Sequence, residues 1–347
     1  MVNILSLAGI TSIFPTLIFK TKGTLLVAGD PTSPDTVYFS SVIDPSQSPP
    51  LIWNTDPVNG NWIRINPDDG GNVTAFAEVS TNVIIFKNTG MYRIDSVAKT
   101  TDPDLIFPIG CYSQENVCVC QDKVYYFGGN GLYSTDGTYP QLISRVGLND
   151  FIAAIPPAYW PNVALGADDF NVYASIGNIT LNYVTYNNVV LKYSVLDQSC
   201  SVHYYGNQFR AFTQYTNIAN GRNMIGADIN GNVQTLNLGT TDNGVAIPYS
   251  LTTQEEDFGL RALLKKITQE IVIFSENGLA SSLQVKCDDD DWVDIQVELT
   301  DKVVIAEQVD LQGYYFKFKW SGASMGNPPI LSGFFIDKVK YLGVTGK

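Results

Sequence analysis

The chain has 347 residues, 45% of them hydrophobic, enough to bury a sizeable core in one large all-β domain or two ordinary ones. Charged residues make up only 16%, while Tyr, Phe, Gly and Pro are plentiful, which suits short strands with tight corners and argues against long solvated helices. A formal net charge of -13 argues against a nucleic-acid grip, which needs clusters of Lys and Arg, and no run of about 18 apolar residues is present to span a membrane.

In chain order, residues 1–19 are apolar but lack a basic leader and are interrupted by Ser12 and Pro15, so they read as a strand entering the fold rather than a signal peptide. Residues 16–28 read as a hairpin turning at Thr21-Lys22-Gly23, and residues 36–40 as a strand. Residues 44–60 carry Pro45, Pro49, Pro50 and Pro57, too many for a central strand, and are expected to form an excursion on one rim. Residues 61–65 are a strand, and 66–71 a turn.

A repeat then becomes visible. Asn82-Val-Ile-Ile-Phe-Lys-Asn-Thr-Gly-Met-Tyr-Arg-Ile-Asp95 matches Asp122-Lys-Val-Tyr-Tyr-Phe-Gly-Gly-Asn-Gly-Leu-Tyr-Ser-Thr-Asp-Gly137. In both, a β-branched and aromatic strand meets a polar turn ending in Gly, then an apolar-Tyr pair and a closing Asp. Gly90 and Gly131 mark the same point in each, where glycine is expected to supply the positive φ of a tight hairpin corner. Their spacing of roughly 40 residues, with two hairpins per unit, is that of a propeller blade. The prediction is a β-propeller body over residues 1–257, with six blades preferred in a range of five to seven. Residues 258–347 are expected to form an enlarged terminal blade or a small β-sandwich.

Asn149 opens a short helix that Pro156-Pro157 ends, and strands resume near 171–175, 181–185, 188–193, 201–205 and 209–214. Asn230-Gly231 marks another hairpin corner. Residues 260–274 fit both periods, and their β-branched second half favours a strand. In the last third Phe316, Phe318 and Trp320 alternate with Lys317 and Lys319, one face apolar and one polar.

Chemistry is sparse. His203 lies in an aromatic strand with no nucleophile motif, and a single histidine excludes His-rich metal sites. Cys118 and Cys120 share a strand face, but C-x-C without a second pair, together with Cys111, Cys200 and Cys287, reads as buried free thiols of a reducing compartment. Asp288, Asp289, Asp290 and Asp291 could take a hard cation, although a solvated loop tip between Val285 and Trp292 is the favoured reading. Asp228-Ile-Asn-Gly-Asn232 half-matches a calcium loop and fully matches a hairpin. Asp68-Asp69, Asp168-Asp169 and Glu255-Glu256-Asp257 are acidic neighbours whose separation in space decides any glycosidase role. The sequons at Asn72 and Asn178 matter only in a secreted chain. No catalytic residue, cofactor or metal is predicted.

Gly110-Cys-Tyr-Ser113, residues 122–127, Asn130-Gly-Leu-Tyr-Ser-Thr-Asp-Gly137 and Leu142-Ile-Ser144, taken in that order, resemble the β-propeller nozzle or hub proteins of short-tailed bacteriophages. Residues 83–94 also fit their place in that order. Residues 188–197 resemble the family's strand ending in Tyr-Asp, and 228–247 its Gly-rich hairpin. The aromatic expected after Asp197 is replaced by Gln198-Ser-Cys200, and no inserted fibre-docking domain is visible.

The resemblance implies a non-enzymatic virion tail component, assembled in the host cytoplasm as a homo-oligomeric ring, a hexamer being favoured. It would join the portal or adaptor side to the distal tail or fibre proteins and let DNA slide past lumen-facing carboxylates without specific binding. Residues 44–60 and 142–161 are the excursions expected to make contacts. The rival is a carbohydrate-binding or carbohydrate-active propeller, a lectin or glycosidase, with Trp53, Trp62, Trp160 or Trp292 stacking on sugar.

Overall fold

A computed structural model describes residues 14–42, 46, 53, 60–95, 102–144, 148–217, 221–236, 241–242, 245–267, 271–276, 281–295, 298–299, 303–306, 310–324, 330–336 and 339–343. The fold is all-β, and the chain divides into two compact units, residues 1–238 and 239–347.

The first unit is a series of antiparallel meanders. The first sheet holds β1 (Leu17–Thr21), β2 (Thr24–Ala28), β3 (Thr36–Phe39) and β4 (Trp62–Arg64). The second holds β5 (Val73–Val79), β6 (Asn82–Lys87), β7 (Met91–Ile94) and β8 (Asp104–Phe107). In the third are β9 (Val117–Cys120), β10 (Lys123–Phe127), β11 (Leu132–Thr135) and β12 (Gln141–Leu142). A short helix, α1 (Asn149–Ala153), leads to the fourth, β13 (Ala164–Ala167), β14 (Asn171–Leu181), β15 (Val184–Ser194) and β16 (Cys200–Tyr204). The fifth comprises β17 (Phe209–Asn217), β18 (Gly221–Asp228) and β19 (Val233–Thr235). The first strand of each sheet touches the first strand of the next, from β1 through β5, β9 and β13 to β17. Meanders stacked in series about their leading strands are propeller blades. Five are formed among the described residues, within the expected range although not the preferred six.

Side-chain alternation explains the stacking. In β6, Val83 and Ile85 enter the core shared with the first sheet, while Ile84 and Phe86 enter the core shared with the third. Val124 and Tyr126 of β10 face back toward the second sheet, whereas Tyr125 and Phe127 face forward to the fourth. The strands therefore read as continuous apolar runs because both faces are covered. Each such large side chain contributes about 1.5–3 kcal/mol on burial.

The two corners that defined the repeat are the same turn: Lys87 N donates to Gly90 O at 2.8 Å, and Gly128 N to Gly131 O at 2.9 Å. The reason for glycine is not the one expected. Neither Gly90 nor Gly131 has positive φ; at Gly131 a Cβ would lie 2.2 Å from Leu142 Cδ1, so that side chain would have to move to admit one. In that turn the left-handed residue is Gly129, φ 80°.

The second unit has a five-stranded sheet ordered β20 (Thr241–Asp242), β21 (Val245–Thr252), β29 (Phe316–Ser324), β24 (Ser281–Cys287), β25 (Val293–Ile295). Beside it, β28 (Leu311–Gly313), β22 (Leu264–Ile267) and β31 (Val339–Gly343) pair in that order, as do β26 (Glu298–Leu299), β27 (Val303–Ala306), β23 (Ile271–Glu276) and β30 (Ile330–Ile336). Leu283, Val285, Phe316, Phe318 and Trp320 form one core with Ile267, Ile336 and Val339, so facing sheets share an interior as in a sandwich. Strand β21, on the propeller side of the boundary drawn at residue 257, pairs with β29 in this second unit.

Candidate functional site

A dense polar site among the described residues of the first unit forms where the chain leaves the first sheet. Lys87, last residue of β6, is completely buried. Its ammonium donates to Ile65 O at 2.9 Å, Asn66 O at 3.0 Å and the Asp69 carboxylate. Three acceptors match its three protons, which a buried ammonium requires. Asp69 ends a 3-10 turn, Pro67–Asp69, that Asn66 enters with φ 40°. It also accepts from Gly71 N at 2.9 Å, Thr89 Oγ1 at 2.7 Å and Tyr92 OH at 2.8 Å. Burial pushes this carboxyl up, but the Lys87 ammonium and the other donors outweigh it and hold the pKa at about 2. Asp68 is exposed, so the Asp68-Asp69 pair splits into a solvated acid and a saturated one. The sequence reading missed Lys87. The available signal was a lysine closing a run of four apolar residues just before a corner.

The other acids are likewise held by their own turns. Asp168 accepts from Phe170 N (2.8 Å), Asn171 N (2.7 Å) and Tyr173 OH (2.7 Å); burial raises its pKa, and these donors bring it below the ordinary carboxylate value. Asp169 is exposed. Asp228 accepts from Asn230 N at 2.8 Å, Asn232 N at 2.9 Å and Asn232 Nδ2 at 3.1 Å, the bonding of an Asx-closed hairpin. In the second unit Glu255 pairs with Lys317 at 3.0 Å, Glu256 bridges Phe316 through the backbone, and Asp257 accepts from Gly259 N at 2.9 Å. Asp288, φ 50°, accepts the amides of Tyr314 (2.8 Å) and Tyr315 (2.9 Å), so the four-aspartate run begins as a turn clamped to the start of β29. Among the described residues no three His, Cys, Asp or Glu side chains gather as metal ligands.

His203, in β16, lies 2.9 Å through Nε2 from Ser201 Oγ. Burial, then Lys192, lowers its pKa, which keeps the ring neutral at pH 7. The cysteines are free thiols; burial pushes Cys111 up to about 12 and Cys120 and Cys287 to about 11, far from a reactive thiolate. Most of residues 44–60 lie outside the described residues. In the 142–161 excursion Leu148, Ile152 and Ile155 turn inward to the core between the third and fourth sheets.

The tryptophans occupy separate settings. Trp53 bridges Ser40, Trp160 packs on Tyr112 at 5.2 Å, and Trp292 lies under Lys319 at 5.9 Å. Trp62 lines a cleft of about 480 Å³ on the first sheet, beside its cross-strand partner Tyr38 and the Asp35–Arg64 pair, in which Arg64 reaches Asp35 at 2.6 Å. An aromatic wall with a fixed carboxylate and guanidinium can hold a small polar ligand. Among the described residues, no helix is long and apolar enough to cross a membrane.

No protein-family profile and no curated protein matches the chain. Solved structures do. A Bacteroides fragilis protein described as exported is 8% identical with a TM-score of 0.34, over 61% of this chain; the match spans 66% of that protein's length. An exo-β-1,3-galactanase from Phanerochaete chrysosporium is 10% identical, TM-score 0.29, over 91% of this chain and 94% of its own. A glycoside hydrolase family 43 arabinoxylan arabinofuranohydrolase from Bacillus subtilis is 10% identical, TM-score 0.21, over 94% of each. The expectation of a chain without enzymatic activity does not stand beside these structures, two of which are glycoside hydrolases. At such identities and scores, however, the likenesses assign no activity to this chain.

Proposed function

We propose that the chain is a wall subunit of a short bacteriophage tail, a propeller with an appended sandwich that assembles with further copies into a ring around the path of DNA. The observation that carries this reading is where the residues of the tail-protein resemblance lie. They run in order from the second sheet into β21 of the second unit, and those of the second and third sheets build the joint between these two. Gly110 sits where a Cβ would be 1.7 Å from Lys87 O, and Cys111 N donates to that same carbonyl at 3.2 Å. Tyr126 and Tyr133 stack at 5.2 Å in the core between the second and third sheets. A protein made to wall a passage needs such stiffness, and its acidic surface would let DNA slide. The test is the native mass of the purified full chain, with negative-stain images. Ring-shaped particles several-fold heavier than 38.1 kDa are expected. A monomer at every concentration would overturn the reading.

A second reading is favoured by the cleft at Trp62: carbohydrate binding or turnover by a propeller, the side on which the solved glycoside hydrolases fall. Titration with a panel of β-linked oligosaccharides, followed by tryptophan fluorescence, distinguishes the two. Saturable quenching that Trp62→Ala abolishes would support the sugar reading, and an unchanged spectrum with ring particles would support the tail.

A further inference from the structure

We infer that the long hairpin of the fourth sheet is the element by which one copy of this chain grips the next, resting on the ring reading above. In that sheet β13 pairs only with residues 172–175 of β14, and β16 only with residues 189–193 of β15. The two central strands continue past both neighbours, still paired to each other through Ile179↔Tyr186, Thr180↔Thr185 and Leu181↔Val184. Beyond those pairs no third strand joins the hairpin among the described residues; Ile179 at its base is buried against the core that α1 covers, and residues 182–185 at its end are exposed. Its corner, Asn182 (φ 50°) and Tyr183 (φ 65°), is a two-residue turn of the left-handed kind that fixes strand twist. At the tip Tyr183 is fully exposed, at 104%, and Val184 is 51% exposed. An ordered apolar tip whose strands pair only with each other is a surface built for a partner.

Charge identifies the partner. The chain carries 34 acids, yet between Phe170 and Ala227 the only one is Asp197, set against Lys192, Arg210 and Arg222. From Phe170 to Leu191 there is no charged residue at all. The second and third sheets, by contrast, expose Asp95, Asp102, Asp104, Asp122 and Asp136 at their turns. Two copies of a chain at net -13 repel one another over most of their surface. The uncharged run from Phe170 to Leu191, in a sheet whose acids are confined to the Asp168-Asp169 and Asp197 turns, is where an identical copy can approach, and the acidic second and third sheets of that copy are the complement. The series of sheets carries these two regions at different positions, which is what a heterologous, head-to-tail contact needs.

The experiment compares Tyr183→Asp with Tyr183→Lys in the full chain, by sedimentation velocity across a protein-concentration series at low and moderate salt. Both remove the same ring from a fully exposed position, so thermal unfolding of each should match the wild type. The Asp variant should weaken assembly by at least about tenfold, while the Lys variant stays within a few-fold of wild type at low salt. If the wild type assembles and the two variants assemble equally, the hairpin inference is overturned and the ring reading stands. If the wild type is monomeric throughout, both fall.

Discussion

Lys87 in the first unit and Lys265 in the second are both completely buried, and their surroundings differ. Lys87 has a carboxylate among its acceptors, and that carboxylate is in turn held by an amide and two hydroxyls. Lys265 donates to two carbonyls, Leu263 O at 2.9 Å and Tyr314 O at 2.6 Å. The first is one member of a network joining the exit of the first sheet to the corner of the second. The second pins two segments of one sandwich. A buried charge whose counterion depends on it is costly to remove, because what remains is an unpaired ion. A buried charge solvated by carbonyls leaves only neutral acceptors behind. Identical burial thus predicts unequal consequences.

The sharpest way to break this comparison is Lys87→Met. It leaves Asp69 partly buried without its cation and is expected to cost about 3–5 kcal/mol, read as a fall in the urea midpoint. Adding Asp69→Asn should recover part of the loss, since neutralising the stranded carboxylate removes the larger penalty. Equal losses for the single and double variants would show that Lys87 acts by packing alone. Next in size is Gly110→Ala. The new methyl would meet Lys87 O and Gly90 O, at 1.7 and 2.6 Å, so the corner must shift at a cost of about 1–3 kcal/mol. Lys265→Met should cost roughly 1 kcal/mol, because two carbonyls lose a donor while a buried ammonium is removed. If the two lysine variants unfold at the same midpoint, the distinction drawn above is wrong.

The legible part of this fold was what local rules determine. Asn230-Gly231, Lys22-Gly23 and the Gly90 and Gly131 corners are short-range signals, and each closes a hairpin. The helix stopped by Pro156 is equally local. Phe316, Phe318 and Trp320 point into one core with Lys317 and Lys319 between them, as their alternation requires. What the sequence hid is long-range. The neighbour that a side chain at 131 would displace, Leu142 on the next strand, is one no turn rule anticipates. Asp69 is in a dipeptide that reads as surface, and only Lys87, 18 positions away, makes it an interior group. The acid-poor stretch from Phe170 to Ala227, with Asp197 its single acid, was written in the sequence throughout. It gained meaning only once β14 and β15 were seen to outrun their neighbours.

The smallest expected effect, and the one that isolates the Asp69 carboxylate, is on acid stability. Its folded pKa is near 2, below the ordinary carboxylate value of 3.8, so the unfolded chain takes up this proton first as pH falls. The stabilisation is therefore whole above about pH 4 and is lost as the pH drops through 2. Asp69→Asn should flatten the decline of the urea midpoint between pH 4 and 2, relative to wild type, while leaving the slope between pH 5 and 7 unchanged. Lys265→Met should follow the wild-type acid profile, displaced by a constant, because the acceptors left behind are carbonyls that do not titrate. A wild-type profile already flat between pH 4 and 2 would mean that Asp69 keeps an ordinary pKa in the folded protein. Lys87 and Lys265 would then differ in their acceptors but not in their linkage to protons.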